Sequence, residues 1–346
     1  MRNLAVLIFV GTLFCEGCNT LWNPWLTERP QQCDAPNPQC PGEQRCNLGS
    51  QLCEMVDLAA DAIAFDLPPP VGQPFAAQVS GTGQDLHGVW GASSVDVWAV
   101  GYGRTILRFD GSAWGIQNSG TLQFGLLGIW GSDASHIWVA SSNGNFATWN
   151  GVAWQTTSTL GMSSEALRAV WGSSASNVWF GGSLGSAVQW NGSAWFRQAS
   201  AVVAIHAIWG CAPGEIWAAG DDATVMRWGG LNWTVKSQTT GGSSWYGIWG
   251  VDPKHIWVVG ASGMVGQWDG STWTKFSLGT QTLKAIWGSG LDNIWVVGAG
   301  GTILHWDGAA WSTRQSGTTL DLNAVWGSNA NNIWVVGAKG TILKGP

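Results

Sequence analysis

Few side chains in this sequence have a type and spacing that could support catalysis. The region 74–346 contains only two glutamates, Glu165 and Glu215, whereas a glycosidase needs a placed pair of carboxylates. A sialidase would also need clustered arginines, but these are scattered over the region: Arg104, Arg108, Arg168, Arg197, Arg227 and Arg314. We therefore expect no enzymatic activity, and a degenerate glycoside hydrolase is the weaker alternative.

The glycine-rich stretches do not predict a phosphate site. "GSLGSA" and "GAGGT" resemble short turns between strands, and no helical pattern follows either of them to form a phosphate cradle. His136 and His255 occupy the same position relative to neighbouring tryptophans, where other copies have Asp96 or Asn177. We interpret the two histidines as turn residues and expect neither a metal nor a cofactor.

Cysteines supply the other candidate chemistry. Four of the seven form a compact even set at Cys33, Cys40, Cys46 and Cys53. In an oxidising compartment such a set predicts two disulfides, with three possible pairings. A four-cysteine zinc site is the alternative, although the set lacks C-x-x-C spacing. Cys211, in "IWGCAPGEIW", is left over as a free thiol.

The first residues are typical of an export signal. Arg2 precedes "LAVLIFVGTLF", an apolar run of eleven residues, which is too short to span a bilayer as a helix. Gly17–Cys18 then resembles the end of a bacterial lipobox. We expect residues 1–17 to be a signal peptide and Cys18 to be lipidated, with plain secretion or a retained anchor as alternatives. The predicted location is the cell envelope or the exterior.

Composition divides the rest of the chain into three parts. Residues 18–53 form a lipid-anchored, cysteine-rich segment, and residues 54–73 form an acidic, then proline-rich linker. Pro68–Pro70 cannot continue a helix or lie in a central strand, so the linker should be extended. Residues 74–346 contain twelve basic and thirteen acidic side chains. This near-neutral balance indicates neither a nucleic-acid surface nor a polybasic membrane patch. The expected membrane contacts are the lipid and Trp22 and Trp25, which follow it closely enough to enter the bilayer interface.

Residues 74–346 repeat seven times. The first tryptophan of each "VWG" or "IWG" falls at positions 90, 130, 171, 209, 249, 287 and 326, and a second follows eight residues later in every copy. An aromatic residue comes eleven positions further on in six copies, and a tryptophan follows it five later. A period of about 40 residues is typical of propeller blades.

One copy predicts four strands. "LKAIWG" is a short strand, "NIWVVG" is apolar on both faces, "TILHW" is a third strand and "AAWSTRQ" a fourth. The "DG" between the last two predicts a two-residue type I′ hairpin turn. That turn would place Trp306 opposite Ala309 and Trp311 on the diagonal. The fold class is therefore all-β, a seven-bladed β-propeller of four-stranded antiparallel blades.

The last copy ends one strand short. Phe75 lies fifteen residues before Trp90, as Trp311 lies fifteen before Trp326. Phe75–Val79 is thus an unpartnered fourth strand, and we expect it to complete the seventh blade and close the ring. Closure removes the exposed edges of an open array of sheets.

The repeat "WGSSASNVWFGGSLGSAVQWNGSAW" resembles the Trp-rich propeller repeats of exported bacterial lipoproteins. It is similar to the BNR/Asp-box and tectonin groups, which implies a propeller. The Asp-box pattern itself is not met, because Asp269 and Gly270 are adjacent, and "WD" occurs without the Gly-His partner of WD40 repeats. Tectonin-like relatives include lectins, so the resemblance implies carbohydrate recognition as one alternative.

The tryptophans themselves predict structure rather than binding. Of the 28, 25 sit at fixed repeat positions, and each buried aromatic removes roughly 150–250 Å² from water. We expect them to form the core between blades.

The variable repeat positions are the better binding candidates. The position three before the first tryptophan opens each innermost strand and should ring one mouth of the central channel: His87, Leu127, Arg168, His206, Tyr246, Lys284 and Asn323. The six polar members of this ring are the predicted ligand-binding residues. Four of them can be cationic, which favours an anionic or hydroxyl-rich partner. The sequence thus predicts an exported, non-catalytic surface scaffold for a protein or glycan, with a carbohydrate-binding lectin as the alternative.

Overall fold

The structure, a computed structural model, describes residues 72–345 except 121, 123, 159–164 and 199–202, together with five short strands nearer the N-terminus. The chain divides into two compact units, Met1–Asp61 and Ala62–Pro346, so the boundary lies within the predicted linker. The predicted signal peptide lies outside the described residues. So do the side chains of the predicted lipidation and disulfide sites, Cys18, Cys33, Cys40, Cys46 and Cys53.

The first unit contains one small antiparallel sheet. Its strands are Cys18–Asn19, Gln32–Cys33, Gln44–Asn47 and Leu52–Met55. They are ordered first, second, fourth and third across the sheet.

The second unit is a ring of seven four-stranded antiparallel blades, which confirms the predicted fold class. The innermost strands are Leu86–Ser93, Leu126–Asp133, Leu167–Ser174, Ile205–Ala212, Trp245–Asp252, Leu283–Gly290 and Leu322–Asn329. The second strands are Asp96–Gly101, His136–Ser141, Asn177–Gly182, Glu215–Gly220, His255–Gly260, Asn293–Gly298 and Asn332–Gly337. We number the blades one to seven in this order.

The outer half of each blade is a hairpin. The third strands are Ile106–Phe109, Asn145–Trp149, Ala187–Trp190, Val225–Trp228, Met264–Trp268, Ile303–Trp306 and Ile342–Lys344. The outer strands are Trp114–Ile116, Trp154–Ser158, Trp195–Gln198, Trp233–Ser237, Trp273–Ser277, Trp311–Thr313 and, for blade seven, Ala76–Gln78. Four blades also carry a single 3-10 turn between the second and third strands: Ser183–Gly185, Ala261–Gly263, Ala299–Gly301 and Ala338–Gly340.

Blade seven is completed by the strand that precedes blade one, as the repeat spacing predicts. Ala76–Gln78 pairs antiparallel with Ile342–Lys344. Phe75 is buried with 5% of its surface exposed, and its ring packs edge-on against Trp295 of blade six at 5.5 Å. A Cβ on Gly345 would lie 2.5 Å from the Phe75 ring. Phe75 therefore fills the space that a third-strand tryptophan occupies in other blades.

Part of the predicted linker pairs with the propeller. Ile63–Ala64 lies parallel to the outer strand of blade five, with Ile63 opposite Phe276. At this point the segment is a fifth strand of that sheet rather than a free spacer.

The hairpin between the third and outer strands differs from the predicted two-residue turn. Trp306 pairs directly with Trp311, so the connecting loop has four residues. The Asp307 carboxylate accepts hydrogen bonds from the backbone N–H groups of Ala309 and Ala310 at 2.9 and 2.8 Å. This Asx geometry replaces the type I′ turn, because the side chain accepts from the backbone donors two and three residues further on. Only the glycine, at φ 92°, takes a positive φ in this loop.

Direct pairing places two aromatic rings against the second tryptophan of the preceding blade. In blade two, Trp149 and Trp154 lie 5.4 and 5.7 Å from Trp98 of blade one. At the closing interface, Phe109 and Trp114 pack against Trp334 of blade seven at 4.8 and 5.3 Å. The tryptophans are therefore the core between blades, as predicted.

The glycine of the "WG" repeat has a packing role that crosses the same interface. In every blade it faces the first tryptophan of the preceding blade: a Cβ on Gly210 would lie 2.7 Å from the Trp171 ring, and one on Gly327 2.7 Å from the Trp287 ring. Only a residue without a Cβ lets the two inner strands approach this closely.

Substitution of Gly210 should therefore overpack the interface between blades three and four. We expect Gly210→Ala to lower the free energy of unfolding by about 1–3 kcal/mol, the usual cost of an extra core methyl group. Gly214→Ala, four residues away on the same hairpin, is the control, because nothing lies within 4 Å of its Cβ position. Urea unfolding followed by tryptophan fluorescence measures both, and equal losses would contradict the packing role.

His305 is a half-buried titratable group in the third strand of blade six. Its Nε2 lies 2.7 Å from Asn293 Oδ1, and its Nδ1 lies 3.0 Å from the Arg314 guanidinium. Since the guanidinium can only donate, Nδ1 accepts and the imidazole is neutral. Burial, reinforced by the charge on Arg314, lowers the pKa of His305 to about 4.

This pKa predicts a stability loss in acid. Between about pH 6.5 and pH 4 the unfolded chain binds a proton at His305 that the folded chain does not, so the unfolding free energy falls as pH falls. After allowance for solvent screening, we expect the wild type to lose about 1–2 kcal/mol more than His305→Gln between pH 7 and pH 4. Gln189 already makes the equivalent hydrogen bond to Asn177 at 3.2 Å in blade three. Urea unfolding at a series of pH values measures the stability of both proteins. Equal losses of unfolding free energy between pH 7 and pH 4 would rule out this role of His305.

Candidate functional site

A β-bulge presents the predicted ring residue in every blade. The pairing register of the innermost strand shifts at this point, from Leu86 to Gly88 in blade one and from Leu322 to Ala324 in blade seven. The residue between, His87 or Asn323, is the extra residue of the bulge. Bulges re-aim side chains and are common beside functional sites, and this one recurs seven times.

The bulge requires close contact between the first two strands. Leu86 pairs with Gly101, where an added Cβ would overlap the carbonyl oxygen of Asp85. Glycine occupies the equivalent position in six blades, and Ser141 takes it in blade two. The final glycine of "VVG" thus accommodates the close approach in six blades, and blade two forms the same bulge with Ser141.

The seven ring residues surround the mouth of a cavity of about 510 Å³. Behind them the wall carries a ring of glycine and alanine and then a ring of valine and isoleucine, for example Gly128 and Ile129 in blade two. The mouth is polar on most sides and the wall below it is apolar. Such a site can accept a side chain with an apolar body and a polar end.

His206 is paired with a carboxylate. Its Nε2 lies 2.7 Å from Asp221 Oδ1, and Ser244 Oγ donates to the same oxygen at 2.7 Å. Burial opposes ionisation of Asp221, but the hydrogen bonds from His206 and Ser244 and the charge on Arg168 lower its pKa below the usual range. The ring of Tyr246 packs against His206 at 5.2 Å.

Lys284 is also neutralised. Its ammonium donates to Asp321 Oδ2 and Asn323 Oδ1, each at 2.9 Å. The hydrogen bond from Lys284, with a second from the Gly300 N–H, lowers the pKa of Asp321. Asn323 in turn donates to the backbone oxygen of Leu86 at 2.9 Å, which ties blade seven to blade one.

His87 is held by packing. Its ring meets Tyr102 at 4.3 Å in an edge-on contact. Burial lowers the pKa of His87; the charge on Asp85 opposes this and that on Lys284 adds to it. His87 is therefore neutral near pH 7. Its Nε2 is buried and has no hydrogen-bond partner among the residues that the structure describes.

Arg168 and Leu127 differ from the rest of the ring. Arg168 is exposed and makes no hydrogen bond or ion pair within the described ranges of the chain. Leu127 lies beside it on blade two and is half-buried at the mouth. The arc formed by Leu127 and Arg168 is thus the part of the mouth that internal contacts leave open.

The structure brings all six predicted polar residues to one mouth but does not make that mouth a cationic ring. Sequence reasoning missed the carboxylates Asp221 and Asp321, which neutralise two of the four cationic candidates. Burial keeps a third, His87, uncharged. The column two positions before the ring residue, which includes Asp85 and Asp321, carried a signal that could have found Asp321, whereas Asp221 lies in the turn after the second strand of blade four.

Charge differs between the two ends of the ring. The mouth end carries seven basic side chains, Arg104, Arg168, Arg197, Lys236, Lys284, Arg314 and Lys339, and five acidic ones, Asp85, Glu165, Asp221, Asp222 and Asp321. The opposite end carries four basic side chains, Arg108, Arg227, Lys254 and Lys344, and the twelfth, Lys275, lies midway along the outer strand of blade five. Its eight acidic ones are Asp96, Asp110, Asp133, Glu215, Asp252, Asp269, Asp292 and Asp307. The mouth end is therefore the more positive, and the opposite end is acidic.

The two glutamates and the two histidines considered for catalysis are each bound to other side chains. Glu165 is bound by Arg197 and Ser186 at the mouth end, whereas Glu215 is bound by Arg227 at the opposite end. The two glutamates thus do not form a pair. His136 and His255 begin the second strands of blades two and five rather than lying in turns, and their rings contact Asp133 and Asp252.

Three smaller findings concern chemistry and the membrane. Cys211 is a free thiol on the surface. Partial burial of the thiol, together with the charge on Glu215, raises its pKa. Within the described ranges, no three His, Cys, Asp or Glu side chains are grouped closely enough to hold a metal ion. A search of the same ranges finds no helix with the length and apolar character to cross a membrane.

Comparison with known proteins places the fold. No protein-family model and no curated protein sequence matches this chain. Among solved structures, YCF48 bound to a D1 peptide superposes with a TM-score of 0.68 at 15% identity, over 81% of this chain and 99% of that one. YCF48 from Cyanidioschyzon merolae gives a TM-score of 0.64 at 17% identity, over 79% and 98%. The WD40 propeller domain of Doa1 gives 0.66 at 13% identity, over 78% and 96%. At such identities the likeness shows the propeller fold alone.

Proposed function

We propose that this protein is a non-catalytic scaffold that binds a protein partner at the mouth end of its propeller. The observation that carries the proposal is the bulge repeated in all seven blades, which aims seven different side chains into one mouth above a cavity of about 510 Å³. A rigid ring with variable side chains at its rim is a typical arrangement for recognition.

The solved neighbours support protein rather than small-molecule recognition. The YCF48 structure holds a D1 peptide, and a propeller of the same fold can use its surface in the same way. The separated glutamates support the absence of glycoside hydrolysis. Turnover of generic glycoside substrates by the purified chain would contradict this part of the proposal.

Photocrosslinking tests the binding face. A benzophenone amino acid placed at Leu127 lies at the mouth, and one placed at Leu231, which is 90% exposed, lies on a turn at the opposite end. In the native host we expect protein adducts from position 127 and none from position 231. Adducts from position 231 alone, or from neither position, would contradict the proposed face. Binding of a glycan array without any protein adduct would favour the lectin alternative.

The proposed cellular setting is the cell envelope, with the chain held by lipid on Cys18. Support comes from the apolar run before Gly17–Cys18 and from the resemblance of the repeats to exported lipoprotein propellers.

Metabolic labelling tests the anchor. A fatty-acid analogue should label the wild type and Cys211→Ala equally, and should not label Cys18→Ala. Equal labelling of all three proteins, or a mature N-terminus elsewhere, would overturn the lipid anchor.

A further inference from the structure

The mouth is asymmetric in a way that constrains its partner. From blade four round to blade one, His206, Lys284 and Asn323 are hydrogen-bonded to Asp221, Asp321 and the Leu86 carbonyl, whereas Tyr246 and His87 are held by ring contacts with His206 and Tyr102. Blades two and three contribute Leu127 and Arg168, which have no such ties to the residues that the structure describes. A partner can bind at this arc without first breaking an internal hydrogen bond.

Arg168 is suited to a carboxylate. A guanidinium presents a planar fork of donors that matches the two oxygens of a carboxylate. Lys284 and His206 already have acidic partners, so among the seven ring residues Arg168 supplies the unpaired charge. The charge on Arg168 also helps to lower the pKa of Asp221. That single positive charge beside resident carboxylates favours a monoanion over a doubly charged phosphate.

The surroundings of Arg168 are apolar. Leu127 adjoins it in the ring, and the wall below carries Ile129 and Val170. Tyr102, 44% exposed, borders the same arc from blade one. An apolar side chain carried next to the carboxylate would therefore be removed from water on the channel wall.

Leu184 adds a strained apolar side chain to the same sector. It lies at the tip of the turn between the second and third strands of blade three, at φ 57° and 71% exposed. Gly300 takes the equivalent position in blade six at φ 62°. A leucine with positive φ is strained, and here no burial offsets the strain. Ser262 and Lys339 also have positive φ at this turn position in blades five and seven, so the conformation belongs to the repeat, and the particular contribution of Leu184 is an exposed apolar side chain.

Building on the proposed function, we infer that the group recognised at this mouth is a polypeptide carboxylate next to a large apolar side chain, bound between Arg168 and Leu127. The carboxylate belongs to an Asp or Glu side chain or to a chain terminus, and both sources present the same two oxygens. The apolar neighbour enters the channel over Ile129 and Val170.

A random heptapeptide display library selected against the full chain tests this inference. We expect the enriched peptides to carry Asp or Glu, or a free terminus, beside Leu, Ile, Met or Phe. Synthetic copies of them, measured by fluorescence polarisation, should bind Arg168→Gln at least tenfold more weakly than wild type. Arg168→Lys should retain intermediate affinity, since it keeps the charge but loses the fork. Amidated and free-acid copies of each peptide then distinguish a terminal from a side-chain carboxylate.

Two variants serve as controls. Lys254→Gln removes the same charge from an exposed site at the opposite end and should leave affinity within about twofold. Leu127→Trp plugs the mouth and should abolish binding of any peptide that enters it. Peptides that are sensitive to Leu127→Trp but uncharged, or insensitive to Arg168→Gln, would overturn the carboxylate inference and leave the proposed face intact. If no selected peptide is sensitive to Leu127→Trp, both proposals fail.

Discussion

Deletion of residues 74–81 from the full chain should lower the melting temperature by about 10 °C or more. The deletion removes Ala76–Gln78, which pairs with Ile342–Lys344, and Phe75, which fills the core between blades six and seven. It leaves the third strand of blade seven as an exposed edge. Blade seven would then have only three strands with which to close the ring.

Deletion of residues 19–61 is the matched control. These residues belong to the first compact unit, so their loss should leave the melting transition of the propeller within a few degrees. Differential scanning calorimetry of the three proteins measures the effect. If the chain lacking 74–81 melts with the wild type, or if the two deletions cost the same, the shared seventh blade does not stabilise the ring.

A single side chain accounts for much of the expected loss. We expect Phe75→Ala to lower the free energy of unfolding by about 3–5 kcal/mol, the range measured for large aromatic side chains in cores. The cavity would lie beside Trp295 and Gly345. It cannot collapse readily, because Gly345 has no side chain to move into it and Trp295 is packed on its other face by His305 at 4.2 Å.

Val79→Ala provides the comparison within the same segment. Val79 follows the strand and is 86% exposed, so its truncation should change stability by no more than about 0.5 kcal/mol. Urea unfolding followed by far-UV circular dichroism separates the two variants, because a signal from 28 tryptophans could respond locally to the loss of Phe75. A loss below 1 kcal/mol for Phe75→Ala would show that the aromatic slot of blade seven is not part of the core.

The binding proposals depend on contacts that no single repeat contains. The ring position is visible in the sequence as a variable column, but its charge depends on neighbours from other columns and other blades. Asp321 of blade seven neutralises Lys284 of blade six across 37 residues of sequence. Thus the mouth is not the cationic ring that four titratable residues indicate, and Arg168 is distinguished only when these partners are known.

Sequence spacing is sufficient to predict the repeat, the number of blades, the four strands of each blade and the closing role of Phe75–Val79. These features follow from spacing along one chain: tryptophans recur at constant offsets, and a strand missing at one end is matched by an unpaired strand at the other. The hairpin register was predicted wrongly, because the Asp307 side chain sets the loop geometry and turn type alone does not reveal that. The tertiary structure was needed to show that a bulge presents the predicted ring residues, why glycine must follow the first tryptophan, and which charges of the ring remain unpaired. Each of these depends on distances between adjacent blades or strands, and such distances arise only when the ring closes.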